Sequence, residues 1–232
     1  MTKLASDSGL TLDKVNWNST KFLSDIKEIE GPKMMELVWK SKILLERYRK
    51  EFVKTNPGCS VADLVKHIKE NHPMTQEDKT SLDIYITCDV EDEWGAGASD
   101  LDAKYYDRAQ SFEGGDWLVV GGYSRIFDGI VCKEPVVLET TVQTIQQNET
   151  GCLVSTNTGR LYLCDYVICT VPLGVLKKQM INFEPPLSNQ KLKSIEKMGF
   201  KTLNKVFVIF ESVFWGDDSQ FIYYRNKETN EM

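Results

Sequence analysis

Long apolar runs are missing from this sequence. No stretch approaches the roughly 20 apolar residues that a membrane-spanning helix needs, and no apolar core follows a basic N-terminus as in a secretory leader. The expectation is a cytoplasmic or otherwise reducing setting with no membrane partner. The sequons Asn18-Ser-Thr and Asn148-Glu-Thr therefore read as chance matches. Histidine is scarce, with only His67 and His72. They flank one helix end without further ligands at useful spacing, which argues against a metal site and leaves a nucleophilic triad without a base. The six cysteines contain no CxxC pair, and Cys169 in Tyr166-Val-Ile-Cys lies in an apolar run that suits a reduced, buried thiol. Positive charge is in deficit: 28 Lys and Arg against 34 Asp and Glu give a net charge of -6. That balance argues against a nucleic-acid surface built on bulk charge and is compatible with a cationic ligand. A GxGxxG fingerprint is also lacking. The glycine pairs of Phe112-Glu-Gly-Gly-Asp-Trp-Leu-Val-Val-Gly-Gly-Tyr123 have the wrong spacing and read as a tight turn into a helix near Ser124.

What remains is enough for one large domain or two small ones: 232 residues, 41% hydrophobic and 27% charged. Gly31-Pro32 opens a helix with Met34, Val38, Leu45, Tyr48 and Phe52 on one side, stopped by Asn56-Pro57-Gly58. Ser60 with Asp63, and Thr75 with Asp78, are capping boxes for two more helices, the second running to about Glu93. Near Gly95 the pattern changes, and Pro135 adds to the punctuation of a region of short elements. Val136–Ile145, Cys152–Thr156, Leu161–Leu163 and Tyr166–Thr170 read as strands of a β-meander, with Asn148-Glu-Thr-Gly151 and Asn157-Thr-Gly159 as turns. A short helix Asn189–Met198, a long strand Leu203–Phe210 and a strand Phe221–Tyr224 follow, before the polar tail Asn226–Met232. The fold class expected is mixed α/β of the α+β kind: a helical layer, then a β-meander and an antiparallel sheet.

Lys205 is the residue with most chemical interest. Period two puts it on the strand face of Phe207 and Ile209. If that face is covered, desolvation makes the ammonium a useful donor or base. A solvated lysine near the start of a strand is the commoner arrangement.

Several segments taken together carry a resemblance. Asp165-Tyr-Val-Ile-Cys-Thr-Val-Pro-Leu-Gly-Val-Leu-Lys177 is followed by Ile181-Asn-Phe-Glu-Pro-Pro-Leu187, Lys191, Ile195–Phe200, Asn204-Lys205 and Phe214-Trp215. Upstream stand Gly114–Tyr123 and Val137-Leu-Glu-Thr-Thr-Val-Gln-Thr-Ile145. In order and spacing this run resembles the flavin-containing amine oxidase superfamily, of the polyamine oxidase and lysine-specific histone demethylase type. The resemblance is dense from about Trp94 to Trp215. It implies FAD as cofactor, a small-molecule amine and O2 as reactants, and an imine that hydrolyses to an aldehyde, with hydrogen peroxide as co-product. It also implies that Val142 lies against the adenine, that Thr170, Val171 and Pro172 line the cofactor, and that Lys205 holds a water near the flavin N5. Glu91 and Glu93 beside Trp94 are candidates for amine recognition, against the commoner role of solvated acids at a helix end. The implied division is residues 1–110, the helical part of a substrate domain; 111–180, part of a flavin domain; and 181–232, the sheet part of the substrate domain. The family's N-terminal GxGxxG and C-terminal glycine-rich segment have no counterpart in the sequence, so the expectation is a central fragment with an incomplete flavin site. Leu101-Asp102 stands where the family often has Leu-Ser. Phe214-Trp-Gly216 with Phe221-Ile-Tyr-Tyr224 tilts the substrate toward polyamines over histone lysine. The alternative from another class is a module that binds no flavin and performs no chemistry.

Overall fold

Ser60 and Thr75 show how polar residues start the helices of this chain. Each hydroxyl accepts a backbone N–H at 3.1 Å, from Asp63 and Asp78 respectively. The two carboxylates accept the N–H of Ser60 and Thr75 in return, at 2.9 and 2.8 Å. Donors that a helix start would leave unsatisfied are thereby paired. The computed structural model describes residues 2–16, 19–24, 31–110, 113–129, 136–216 and 220–225. Asn18, Phe112, Pro135 and the tail Asn226–Met232 lie outside the described residues. In chain order the elements are α1 (Thr2–Asp7), β1 (Leu12–Lys14), β2 (Thr20–Ser24), α2 (Gly31–Thr55), α3 (Val61–Asn71) and α4 (Gln76–Tyr85). A π-helical stretch (Ile86–Glu91), α5 (Asp92–Trp94), β3 (Trp117–Val119) and α6 (Ser124–Gly129) follow. Then come β4 (Val142–Asn148), β5 (Gly151–Thr156), β6 (Leu161–Cys164), α7 (Leu173–Lys177), β7 (Asn182–Glu184), α8 (Asn189–Lys197) and β8 (Phe221–Arg225). Contacts divide the chain into two units: Met1–Ile130 with Thr202–Met232, and Val131–Lys201.

The first unit is built on α2 to α5. Leu45 of α2 is fully buried among Val61, Leu64 and Ile68 of α3 and Leu82 and Val90 further on, with Val38, Tyr48 and Phe52 packed against them. That is the apolar stripe expected of α2, except Met34, whose side chain lies outside the description. Each such aliphatic side chain contributes about 1.5–3 kcal/mol by leaving water. The helix expected to reach about Glu93 runs on to Trp94, but its middle widens: the Asp92 N–H reaches back five residues to the Thr87 carbonyl. Gly95, in the left-handed region at φ 58°, ends it. Two strand pairs complete this unit, β1 with β3 antiparallel and β2 with β8 parallel.

The second unit is a sheet of order β6-β5-β4-β7. Three strands of the expected meander are present, β4–β5 and β5–β6 pairing antiparallel. The first begins only at Val142, since residues 136–141 lie outside any strand, and it runs on through Asn148, expected to open the turn. Tyr166–Thr170 is not the fourth. The fourth strand of the sheet is β7, added at the opposite edge, parallel to β4 with Ile145 opposite Phe183. Tyr166 and Ile168 instead stand 88% and 89% exposed, and the Cys169 thiol, expected to be buried, is exposed with them. Their alternation has the period of a strand, but a strand needs a neighbour to take its N–H and C=O groups, and none of the described strands lies beside this segment. Ile145, Val154 and Ile181 form the core of the unit.

A second expectation is corrected in the same way. Leu203–Phe210 forms no strand, and Phe207 and Ile209 are 89% and 98% exposed. The face that carries Lys205 is uncovered, because no described strand pairs with this segment.

Candidate functional site

Val142, Thr170, Val171 and Pro172 all belong to the sheet unit. Val142 begins β4, where the register with β5 slips between Val142 and Thr144. Such a bulge bends the strand and re-aims side chains. Val142 and Val171 pack, together with Val167 and Val175, against the single cluster of Ile145, Val154 and Ile181. Thr170 and Pro172 flank them on the exposed side. Pro172 caps α7 at φ -56°, where its missing N–H breaks no helical bond. From Tyr166 to Val171 the backbone N–H and C=O groups make no hydrogen bond among the described residues, and the Thr170 hydroxyl is equally free.

In kind, these groups fit the nucleotide part of a flavin: an apolar wall, an open hydroxyl and unpaired peptide groups. None of the four residues carries charge to hold a pyrophosphate. A cavity of about 540 Å³ in this unit is lined by Ile145, Cys152, Asp165, Val167, Cys169 and Lys191 among others, and stops one residue short of Thr170.

The glycine of Pro172-Leu-Gly-Val-Leu has a local reason. A Cβ on Gly174 would lie 2.6 Å from Cε1 of Phe200, so only glycine lets that ring rest on α7. Lys177 Nζ donates to the Glu196 carbonyl at 2.8 Å, satisfying an orphaned group at the end of α8. Two of the sequence segments that carry the resemblance thus pack together.

Lys205 lies in the other unit, exposed and outside any regular element. Glu91 and Glu93 separate in role. Glu91 accepts the Ala98 N–H at 2.6 Å and so holds the turn after α5. Glu93 remains exposed beside Trp94. Asp102 accepts the Lys104 N–H at 2.8 Å and the Tyr105 N–H at 3.2 Å. That is turn-capping work a serine can also do, so Asp for Ser here keeps the local geometry.

Two features escaped sequence reasoning. Arg49 is buried, although its place four residues after Leu45 on the apolar stripe of α2 was a signal. Cys152 and Cys164 face each other across β5 and β6, and their even placement about the Asn157–Gly159 turn was visible.

With this geometry in place, similarity to known proteins can be read. Residues 90–231 match the family model described as flavin containing amine oxidoreductase. Lysine-specific histone demethylase 1 homolog 2 of Oryza sativa subsp. japonica is 30% identical over 234 residues, covering 97% of this chain and 30% of that protein. Polyamine oxidase 4 of the same organism is 34% identical over 131 residues, covering 56% of this chain and 27% of that protein. The chain therefore spans about a third or less of the length of these relatives. A solved structure of a putrescine oxidase double mutant, redesigned in cofactor binding, matches with a TM-score of 0.57 at 16% identity, covering 84% of this chain and 49% of that one. At that identity the likeness speaks for the fold, mixed helix and sheet of the amine oxidase kind. With the family model matched over well more than half of its residues, the chain belongs to the flavin-containing amine oxidoreductase family.

Proposed function

We propose that this chain is part of an FAD-dependent amine oxidase in which Val142, Thr170, Val171 and Pro172 line the cofactor and Lys205 serves the reaction by holding a water. The observation that supports this best is the convergence of Val142 and Val171 on one apolar cluster, beside the free hydroxyl of Thr170 and the unpaired peptide groups of residues 166–171. When bound, the flavin supplies the two-electron oxidation of a carbon–nitrogen bond. The residues of this chain do the rest. Val142 and Val171 exclude water, and Thr170 offers hydrogen bonds. In the role that the resemblance implies, Lys205 would hold a water near the flavin N5, and Glu93 beside Trp94 attracts the cationic amine. In this reading residues 1–110 and 181–232 serve the substrate and 111–180 the cofactor.

Free polyamines are the substrate we propose, on the likeness of Phe214-Trp-Gly216 and Phe221–Tyr224 to polyamine oxidases. A methylated lysine side chain is the second reading, favoured by the 30% identity to a histone demethylase homolog across 97% of the chain. The test is to incubate the purified chain with FAD, follow the flavin absorbance of the re-isolated protein, and measure peroxide released on adding spermine or a dimethyl-lysine peptide. Retained flavin with amine-dependent peroxide supports the oxidase reading for this chain, and the preferred amine selects between the substrates. A colourless, inert protein would sink the catalytic reading for this chain by itself, though not its membership of the family. Lys205→Met is expected to slow flavin reduction by amine about 100-fold; an unchanged rate removes Lys205 from the site.

A further inference from the structure

Cys152 and Cys164 are directly opposed residues of the antiparallel pair β5–β6. Opposed residues of such a pair have Cα atoms about 4.5 or 5.5 Å apart. Both values lie inside the ~4.4–6.8 Å that a disulfide spans. The two side chains point to one face of the sheet, as directly paired residues do, and it is the face of Val154, which packs in the core with Ile145. The Cys164 thiol lies 3.8 Å from the Cys152 carbonyl oxygen. At this end of the hairpin the backbones approach closely: a Cβ on Gly151 would sit 2.7 Å from the Cys164 carbonyl oxygen, and Gly151 holds φ 149°. Both cysteines are free thiols of intermediate exposure. Cys152 also lines the 540 Å³ cavity, so a small oxidant has a way in. β6 is an edge strand and can shift to meet the bond geometry.

We infer that Cys152 and Cys164 form a reversible disulfide across β5 and β6, making this hairpin a site of oxidative modification. The oxidant is a peroxide. The Cys152 thiolate attacks one peroxide oxygen, the O–O bond breaks, and one water leaves with Cys152 as a sulfenic acid. Cys164 sulfur then attacks that sulfur, the S–O bond breaks, and a second water leaves. Two thiols lose two electrons and two protons, and hydrogen peroxide becomes two waters. The bond pins β6 to β5 six residues ahead of Thr170. The inference draws on the proposed oxidase reading only for a local source of peroxide; the chemistry stands without it.

The test uses added hydrogen peroxide on the purified chain without flavin, so its outcome is independent of amine oxidation. Tryptic mapping without reductant is expected to show peptide 134–160 joined to peptide 161–177, lighter by two hydrogens than their sum and separated by dithiothreitol. Cys164→Ser is expected to abolish the link, and Cys169→Ser, in the same peptide, to leave it intact. A link that survives Cys164→Ser, one that needs Cys169, or bonds only between separate chains would overturn the inference. So would both thiols remaining free, or ending as sulfinic acids, at peroxide levels that oxidise exposed methionine.

Discussion

At the scale of single residues, Arg49 shows what it takes to keep a cation out of water. Its side chain is 9% exposed, and its guanidinium spreads donors over five acceptors. Nε donates to the Ala103 carbonyl at 2.6 Å and Nη2 to the Lys104 carbonyl at 3.0 Å. Nη1 donates to Glu46 at 2.9 Å and both terminal nitrogens to Asp107. The ring of Tyr106 lies 4.7 Å away. A planar fork satisfies this set and an ammonium does not. The Arg49 hydrogen bond also holds the Asp107 carboxyl below the usual carboxylate range. Removing the guanidinium strands two carbonyls and two carboxylates. Because Glu46 and Asp107 are 38% and 44% exposed and can rehydrate, the loss is set by the carbonyls. Arg49→Met is expected to lower unfolding free energy by about 2–3 kcal/mol, with Arg49→Lys recovering only part of it. Urea unfolding followed by circular dichroism measures both; a Met variant as stable as the parent would show that the clasp contributes nothing.

At the scale of elements, the helix starts respond to pH. Hydrogen bonds from Ser60 lower the pKa of Asp63, and hydrogen bonds from Thr75 lower that of Asp78. The folded values therefore lie below the unfolded ones near 4. Such a group binds fewer protons when folded, so its stabilisation is complete above about pH 4 and disappears as pH falls through the folded value. Stability of the helical unit is expected to drop between pH 5 and pH 2. The Ser60→Ala, Thr75→Ala double variant should be less stable at neutral pH, by about 1 kcal/mol per cap, and flatter against acid. Parallel acid profiles for parent and variant, read from urea midpoints, would show that the caps are not the titrating groups. These starts were legible in the sequence because a capping box is contained in four residues. The π-helical turn at Ile86–Glu91 was not, since it depends on how Ile86 and Val90 seat in the core.

At the scale of the whole molecule, Val206, Phe207 and Ile209 stand 88%, 89% and 98% exposed in a run that carries no charge from Val206 to Phe210. A contiguous apolar patch of this kind promotes association. Ile209→Lys is expected to leave stability within about 0.5 kcal/mol while lowering light scattering of concentrated solutions several-fold; unchanged scattering would mean the segment is not sticky. The same run marks the limit of reading from sequence. Period two in Leu203–Phe210 and in Tyr166–Thr170 says which side chains share a face, but not whether another strand lies alongside. The place expected for Tyr166–Thr170, beside β6, stayed an edge, the sheet grew instead by β7 beside β4, and Lys205 was left without a covered face. Capping boxes, turn residues and the order of family segments were determined by the sequence itself, because each acts over a few neighbouring residues. The burial of Arg49, the packing of Val142 and Val171 on one apolar cluster, the seating of Phe200 on Gly174 and the opposition of Cys152 to Cys164 were decided only by the tertiary structure. Each depends on a partner brought near by folding, and proximity of that kind has no local signature.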